Sequence, residues 1–165
     1  MATLVYPGSF DPVTYGHLDL MHRGLKLFDE LVVGVSTNIR KEALFTAQER
    51  VDMIRAAVDQ YPKITVKKFD GLLVHYAKDV GAHAILRGLR ALSDFEYEFQ
   101  MAHMNHRLNQ EIETIFLMTG QDHFYLSSSL VREVAFFGGD VGGLVPPSVE
   151  TQLIERVAQH QANGA

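Results

Sequence analysis

A twelve-residue segment near the N-terminus carries groups that bind anions: Tyr-Pro-Gly-Ser-Phe-Asp-Pro-Val-Thr-Tyr-Gly-His, ending at His17. Ser9 offers a hydroxyl and its own backbone N–H to an anion. His17 lies in the first turn of a predicted helix, where unpaired N–H groups and the helix dipole favour negative charge. A tight turn and a helix cap would explain part of the segment, but not its Thr-x-Gly-His ending. The segment therefore indicates a phosphate site.

Two arginines follow a predicted strand in the sequence Arg87-Gly-Leu-Arg90. A guanidinium group forks onto phosphate or carboxylate oxygens, and the glycine permits a turn between the two arginines. Acidic residues from Asp94 to Glu98 are close enough in sequence to form ordinary surface ion pairs instead. The residue pattern alone leaves both interpretations open.

Hydroxyl groups and further cations follow at two other loop positions. Ser127, Ser128 and Ser129 precede a predicted helix, and Arg132 lies three residues past Ser129 on the same side of that helix. One serine would satisfy an N-cap, so three in a row exceed what capping requires and indicate a second anion site.

Lys41 follows the second predicted strand. A loop lysine is usually only solvated, but at a strand end it is a candidate phosphate ligand.

Several classes of site are disfavoured by what the sequence lacks. It contains no Cys, which excludes a thiol nucleophile, a disulfide framework and a thiolate zinc site. It has no Gly-x-Gly-x-x-Gly after the first strand, no P-loop and no Gly-x-Ser-x-Gly elbow. His103 and His106 share a helix face without a third or fourth ligand, so they are assigned to packing or an interface, and no protein metal site is predicted.

Short apolar runs alternate with helical periodicity along the chain, in units of about 30 residues. The runs predict strands at Thr3–Tyr6, Leu31–Ser36, Ile64–Phe69, Ala84–Leu86 and Ile112–Met118. This pattern is typical of a single doubly wound, Rossmann-like α/β domain with a five-stranded parallel sheet. We expect that domain to span residues 1–160, with a frayed tail at 161–165. Ligands of such folds bind at the carboxyl ends of the strands, where the polar motifs fall.

Capping signals define several of the predicted helices. Thr46 and Glu49 have the capping-box spacing, and Ser93 with Glu96 predicts a second box at the start of a helix that runs to Leu108. Gly81 ends a short helix at a predicted C′ position. Other helices are predicted from Gly16, from the Ser127 segment to Phe137, and from Pro147 to about Gln159.

Composition indicates a globular protein of the cytoplasm. The 165 residues include 15 Lys+Arg and 20 Asp+Glu, for a net charge of −5, which disfavours non-specific binding to nucleic acid. The longest apolar runs are shorter than the ~20 residues that a membrane span needs. The N-terminus has no basic region of the kind that begins a secretory signal. We therefore expect no nucleic-acid or membrane partner.

Taken in order, the motifs resemble those of the bacterial phosphopantetheine adenylyltransferases, in the nucleotidylyltransferase superfamily with the (H/T)-x-G-H signature. The resemblance runs from about residue 3 to 155, and its more specific part is Arg-Gly-Leu-Arg-Ala-Leu-Ser-Asp-Phe-Glu-Tyr-Glu with Ala-His-Met-Asn at 102–105. It implies that 4′-phosphopantetheine attacks the α-phosphorus of ATP in line, without a covalent enzyme intermediate, giving dephospho-coenzyme A and pyrophosphate. It also implies Mg²⁺ accompanying ATP, coenzyme A as a feedback inhibitor and a homohexamer.

The same resemblance implies roles for individual residues. The catalytic residues would be Ser9, Lys41 and His17. The substrate phosphopantetheine would contact Ser9, Lys41, Leu73 and Arg87. ATP would be bound by Ser9, Phe10, His17, Gly88, Leu89, Arg90, Glu98, His123, Phe124, Tyr125, Leu126, Ser127, Ser128 and Ser129. The sequence Gly120-Gln-Asp-His123, on the adenine side of the expected site, departs from the pattern of some members.

Two other functions fit the same residues. One is a nucleotidylyltransferase of this superfamily with a different acceptor, such as nicotinamide mononucleotide or glycerol phosphate. The other is a regulatory protein that binds a nucleotide without turnover. Because unrelated functions share one fold, only the acceptor that turns over separates them.

Overall fold

The apolar runs of the sequence form a parallel sheet flanked by helices, in a computed structural model that describes residues 1–37 and 42–163. The elements in chain order are β1 Thr3–Gly8, α1 Tyr15–Gly24, β2 Glu30–Ser36, α2 Ala47–Ala57, β3 Ile64–Phe69, α3 Leu73–Asp79, β4 Ala84–Leu89, α4 Leu92–Leu108, β5 Glu113–Met118, α5 Ser128–Phe136 and α6 Pro147–Asn163. No helix in the described ranges has both the length and the apolar character to span a membrane.

The strand order is β3-β2-β1-β4-β5, and every neighbouring pair is parallel. The chain therefore winds outward from β1 in one direction and, after β3, returns to place β4 on the other side of β1. This reversal leaves a crevice at the carboxyl ends of β1 and β4, which is where doubly wound folds bind ligands. The predicted fold class is confirmed.

Strand β1 is buried on both faces, which explains its continuous apolar sequence. Leu4 and Tyr6 belong to the larger core, while Val5 belongs to a smaller core on the opposite face of the sheet. The larger core includes residues of α1, α2, α5 and α6, and the smaller includes Val74 and Ala77 of α3. Helices on both faces hold the sheet rigid, so that the loops at its edge have fixed starting points.

Several boundaries differ from their prediction. β1 extends to Gly8, past the predicted end at Tyr6, and β5 begins at Glu113 where Ile112 was predicted. β4 extends to Leu89, so Arg87 lies on the strand and not in a loop after it, because β4 pairs with β5 from Ala84↔Glu113 to Leu89↔Met118. α6 continues to Asn163, so residues 161–163 are helical where a frayed tail was expected.

One of the two predicted capping boxes is present. Thr46 Oγ1 accepts the Glu49 backbone N–H, and the Glu49 carboxylate accepts the Thr46 N–H. The second box is wrong, because α4 begins at Leu92 and Ser93 already lies inside the helix. The N-cap of α4 is Ala91, which makes no side-chain hydrogen bond.

Candidate active site

A cleft of about 620 Å³ opens at the carboxyl ends of β1 and β4, where the sheet changes winding direction. Ser9 and His17 come from the segment after β1, Arg90 follows β4, and Ser129 lies at the start of α5; all four line the cleft. The full lining is Tyr6, Pro7, Gly8, Ser9, Phe10, Asp11, Thr14, Gly16, His17, Leu20, Glu42, Arg87, Gly88, Arg90, Asp94, Glu98, Thr119, Leu126, Ser127, Ser128, Ser129 and Arg132. The sequence motifs thus converge on one concave surface.

The turn after β1 is held by an aromatic side chain that folds back beneath it. Phe10 has a φ of +49°, a conformation that L-residues other than glycine seldom adopt. Its buried ring packs edge-on against Tyr6, with centroids 5.3 Å apart, and against His17, with centroids 5.0 Å apart. A Cβ at Gly8 would lie 2.9 Å from the Phe10 ring, so this position requires glycine. The exposed Ser9 is thereby presented at the tip of a fixed turn.

His17 closes a capping box at the start of α1. Its backbone N–H donates to Thr14 Oγ1 at 3.4 Å, and the Thr14 N–H donates to His17 Nδ1 at 3.0 Å. Because Nδ1 accepts this hydrogen bond, the neutral ring carries its proton on Nε2. Burial, with a smaller contribution from the charge of Arg90, lowers the pKa of His17 to about 4. His17 therefore offers the cleft a neutral N–H donor near pH 7.

Arg87 and Glu98 form a bidentate ion pair across the floor of the cleft. Arg87 Nε donates to Glu98 Oε2 at 2.7 Å and Nη2 donates to Oε1 at 2.6 Å, while Nη1 donates to the Pro7 carbonyl at 3.3 Å. Burial works against the charge, but the Glu98 carboxylate outweighs it and holds the pKa of Arg87 above its usual value. A guanidinium has five N–H donors, so two remain for a ligand.

The rest of the Arg87–Arg90 segment shapes the cleft wall. Arg90 pairs with the Asp94 carboxylate, with Nε 3.2 Å from Oδ2, and is partly exposed beside the cleft. A Cβ at Gly88 would lie 2.4 Å from Leu20 Cδ1, so any larger residue there would require the buried Leu20 side chain of α1 to move. The two interpretations of this segment are therefore compatible. Both arginines form ion pairs with acidic residues, and both line the cleft.

The serine segment uses each hydroxyl differently. Ser127 caps α5 by accepting the Leu130 N–H at 3.1 Å, and Ser128 donates to the Pro12 carbonyl at 2.7 Å. Ser129 Oγ lies 3.4 Å from Arg132 Nη2 at the exposed edge of the cleft. One hydroxyl therefore serves the cap and one the fold, while Ser129 faces solvent with a cation beside it.

A second cleft of about 380 Å³ adjoins the first. The two share Pro7, Gly8, Ser9, Arg87 and Glu98 as a common boundary. The second cleft is otherwise more apolar, and its further lining is Ser36, Phe69, Leu73, Tyr97, Met101, Ala102, Asn105 and Thr114. Leu73 and Arg87, expected to share one substrate, do line this one cavity.

Some predicted site residues lie elsewhere. Leu89, His123, Phe124 and Tyr125 do not line either cleft, and Phe124 and Tyr125 are exposed with their rings edge-to-face. Only Leu126 to Ser129 of the predicted adenine-side stretch reach the lining. Lys41 lies outside the described residues.

Two residues of the site were not identified from sequence. Arg50 is 2% exposed and donates to the carbonyls of Ser9, Ser36 and Phe45. Asp11 is also buried, and its carboxylate accepts two backbone N–H groups of the β2–α2 loop. The sequence shows each only as an ordinary charged residue, because the Asp11 partners are 33 and 34 residues away and Arg50 reaches a carbonyl 41 residues away. Within the described ranges, no three His, Asp or Glu side chains cluster as a metal site.

Comparison with known proteins places these features in a family. The cytidylyltransferase-like family model matches residues 5–134. Among curated relatives, the phosphopantetheine adenylyltransferase of Anaeromyxobacter dehalogenans is 58% identical over 94% of both chains. That of Syntrophotalea carbinolica is 55% identical over 90% of both, and that of Caldanaerobacter subterraneus is 54% identical over 94% of this chain and 98% of its own.

A solved structure supports the fold independently. A Vibrio parahaemolyticus protein assigned as a nicotinate-nucleotide adenylyltransferase superposes with a TM-score of 0.66, covering 93% of this chain and 99% of its own. The two sequences are only 15% identical, so this likeness concerns the architecture alone.

Proposed function

This chain belongs to the cytidylyltransferase-like family and, within it, to the phosphopantetheine adenylyltransferases, and from that premise we propose that it transfers AMP from ATP to 4′-phosphopantetheine by direct in-line attack. An oxygen of the acceptor's phosphate forms a bond to the α-phosphorus of ATP. The bond from that phosphorus to the bridging oxygen of the β-phosphate breaks, and pyrophosphate leaves with the electron pair. The products are dephospho-coenzyme A and pyrophosphate, without an enzyme-bound intermediate.

The observation that carries this proposal is the convergence of anion-binding groups on two joined clefts. Ser9, His17, Arg90 and Ser129 line the larger cleft, and Arg87 stands at its boundary with the smaller one. Two anionic substrates approaching from either side would meet at this boundary, where Ser9 and Arg87 lie. Catalysis then rests on positioning and on stabilisation of charge, as in phosphoryl transfer generally.

We assign ATP to the larger cleft, with contacts from the predicted residues that line it. His17 would donate its Nε2–H to a phosphate oxygen and stabilise the charge that develops as pyrophosphate departs. A donor already neutral and fixed by a capping box needs no reorganisation during the step. The ATP-binding roles of Leu89 and of His123 to Tyr125 stay predictions. These residues would have to move toward the cleft when a nucleotide binds. The role of Lys41 toward the attacking phosphate also stays a prediction.

We assign the pantetheine arm to the smaller cleft. The arm is a flexible chain with amide groups and apolar carbons, and the cleft offers Leu73, Met101 and Ala102 beside the Asn105 amide. Coenzyme A contains the same arm, so it would compete for this cleft, which accounts for the expected feedback inhibition.

The cytoplasmic location stays a prediction.

Mg²⁺ is proposed to arrive with ATP as part of the substrate. The two carboxylates deepest in the larger cleft have protein partners: Glu98 is forked by Arg87, and Asp11 accepts backbone N–H groups. The residues described here therefore fit a metal held mainly by the phosphates of ATP. Bound there, the metal would neutralise phosphate charge.

The proposed homohexamer has a candidate contact surface on α4. This helix exposes large apolar side chains along its length: Leu92, Phe95, Tyr97, Phe99, Met101, Met104 and Leu108. A helix that is apolar on several faces is normally covered by other protein. We infer that α4 packs against neighbouring copies of this chain.

A panel of acceptors tests the function. Purified protein with MgATP is offered 4′-phosphopantetheine, nicotinate mononucleotide, nicotinamide mononucleotide or glycerol phosphate, and pyrophosphate release is measured. Turnover with phosphopantetheine alone is the expected result. Preference for another acceptor would make the chain a different nucleotidylyltransferase, and ATP binding without turnover on any acceptor would make it a regulatory binding protein.

A further inference from the structure

Asp11, in the turn after β1, contacts the loop between β2 and α2 and also Arg132 of α5. The residue is 4% exposed, although it sits in a loop two positions after Ser9. A buried carboxylate is costly unless every oxygen is paired. The contacts of the Asp11 carboxylate must therefore offset the cost of its burial.

Its contacts reach the loop between β2 and α2. Oδ1 accepts the Phe45 backbone N–H and Oδ2 accepts the Leu44 N–H, each at 2.9 Å. Arg132 of α5 approaches from the other side: its Nη1 is 3.5 Å from Oδ2 and also donates to the Asp11 main-chain carbonyl. The same guanidinium reaches Ser129 Oγ.

A buried cation holds the same two loops together. Arg50 Nη1 donates to the Ser9 carbonyl at 2.6 Å and to the Ser36 carbonyl at 3.0 Å, while Nε donates to the Phe45 carbonyl at 3.1 Å. The Asp11 carboxylate thus accepts the backbone N–H groups of Leu44 and Phe45, and the Arg50 guanidinium donates to the Phe45 carbonyl. An anion and a cation together hold this segment in place.

We propose that Asp11 is a positioning residue that anchors the segment following Lys41 to the anion-binding turn. Leu44 is three residues after Lys41, a length of chain that spans at most about 10 Å. Anchoring Leu44 and Phe45 therefore holds the segment that follows Lys41 in sequence to the turn that carries Ser9. The inference rests on the proposed function, in which Lys41 contacts the attacking phosphate.

The substitution Asp11→Asn tests the anchor with little change in volume. An amide group has one acceptor oxygen, and its NH₂ would face one of the two backbone N–H donors. Loss of the anchor should lower kcat/KM for phosphopantetheine by about tenfold or more, since displacement of a catalytic group by about 1 Å can cost as much as ~10²-fold.

A double-mutant cycle separates positioning from general damage. Asp11→Asn is measured alone and in a Lys41→Ala background, where we expect its further effect on kcat/KM to fall below about twofold. The same factor in both backgrounds would overturn the proposal, as would an Asp11→Asn enzyme with wild-type kcat/KM. If Asp11→Asn does not fold, Asp11→Glu, which keeps the charge but shifts the carboxylate, is used in the same cycle.

Asp29→Asn is the matched control. The Asp29 carboxylate also accepts a backbone N–H, that of Ala2 at 2.8 Å, but at the opposite end of β1. It should retain wild-type kcat/KM. Amide hydrogen exchange of the wild-type protein gives a second readout: rapid exchange at Leu44 and Phe45 would show that no anchor exists. Absence of wild-type turnover with phosphopantetheine would instead contradict the proposed function and leave the exchange result to decide the anchor.

Discussion

At the scale of single residues, His17 performs two tasks with its two ring nitrogens. Nδ1 accepts the Thr14 N–H and completes the cap of α1, which leaves Nε2–H for the cleft. A histidine in a capping box has a fixed ring and a fixed tautomer. The residue that we propose to bind ATP is therefore oriented by the start of its own helix.

Replacing His17 separates the two tasks. His17→Gln keeps an acceptor at the capping-box position, whereas His17→Ala removes it. Both variants should lose about 10²-fold in kcat, as expected for one lost charge-stabilising donor. Only His17→Ala should also lose about 1 kcal/mol of stability, or about 2–4 °C in Tm. Steady-state kinetics and calorimetry check this, and unchanged turnover with a collapse of stability would make the residue structural.

The protonation state of His17 gives a pH prediction. Its pKa of about 4 lies below the unfolded value of 6.5 because burial disfavours the imidazolium. The unfolded chain therefore binds the additional proton first, and the stabilising contribution is complete above 6.5 and lost as pH falls toward 4. NMR of the His17 ring should show no titration between about pH 8 and pH 5. A midpoint near the ordinary value would contradict the neutral donor.

Arg87 gives a test of geometry at constant charge. Arg87→Lys retains the cation but loses the planar fork that holds both Glu98 oxygens. We expect kcat/KM for phosphopantetheine to fall by about tenfold or more, from the cost of a weakened, partly buried charge pair. Arg55→Lys on α2 is the matched control, since Arg55 pairs with the exposed Asp52. Equal kcat/KM for Arg87→Lys and wild type would exclude a bidentate role.

At the scale of elements, the N-terminus of α2 joins the site loop to the last helix. Arg156 of α6 donates to the Leu44 carbonyl at 2.7 Å, forms an ion pair with Glu49 and lies 4.8 Å over the Phe45 ring. Glu49 also completes the Thr46 capping box. The loop next to the cleft is thus tied to a helix more than 100 residues away in sequence, as the separation of 112 between Arg156 and Leu44 shows.

Acidification should weaken this junction. Hydrogen bonding from Arg156 is the main cause that lowers the pKa of Glu49 below its usual 4.5. Its contribution is therefore present above pH 4.5 and lost as pH falls through the lower folded pKa. Glu49→Gln, which keeps the cap, should cost at most about 1 kcal/mol at pH 7 because the pair is partly exposed.

Urea unfolding at neutral and acidic pH measures that difference. It should shrink in acid for Glu49→Gln. The exposed Asp52→Asn, which affects a surface pair with Arg55 and a surface hydrogen bond from Gln48, should show little difference at either pH. A Glu49→Gln penalty that is independent of pH would exclude the ion pair as its source.

At the scale of the whole molecule, charge and apolar surface are distributed unevenly. The chain has a net charge of −5, yet Arg87, Arg90 and Arg132 all line the larger cleft. Four carboxylates, those of Asp11, Glu42, Asp94 and Glu98, line the same cleft, so anion binding there depends on the individual N–H donors that face the ligand and not on an excess of positive charge. Several exposed large apolar side chains, in contrast, lie together on α4.

Self-association through α4 follows from this distribution. Phe99→Glu or Met104→Glu should produce smaller species than wild type in sedimentation velocity, because burying an unpaired carboxylate at an interface is unfavourable. Ile154→Glu on α6 is the control, since Ile154 is exposed to a similar extent, 54% against 48% for Phe99 and 51% for Met104. Wild-type sedimentation of both α4 variants would exclude this helix as the contact surface.

The alternation of strands and helices, the fold class and the segments that form the cleft could all be predicted from the sequence. These are local signals: apolar runs mark β1 to β5, and Thr-x-Gly-His and the three serines mark helix starts that favour anions. Because parallel strands place their carboxyl ends at one edge, local motifs were enough to predict one common site.

The pairing of the charged groups, in contrast, could not be predicted, because it depends on long-range packing. Strand β4 continues through Arg87 because β5 supplies partners up to Met118, and the buried Glu98 then occupies part of the guanidinium. Asp11 finds its partners 33, 34 and 121 residues away, at Leu44, Phe45 and Arg132. Such contacts depend on which surfaces the packed core brings together, and periodicity along the chain carries no information about them.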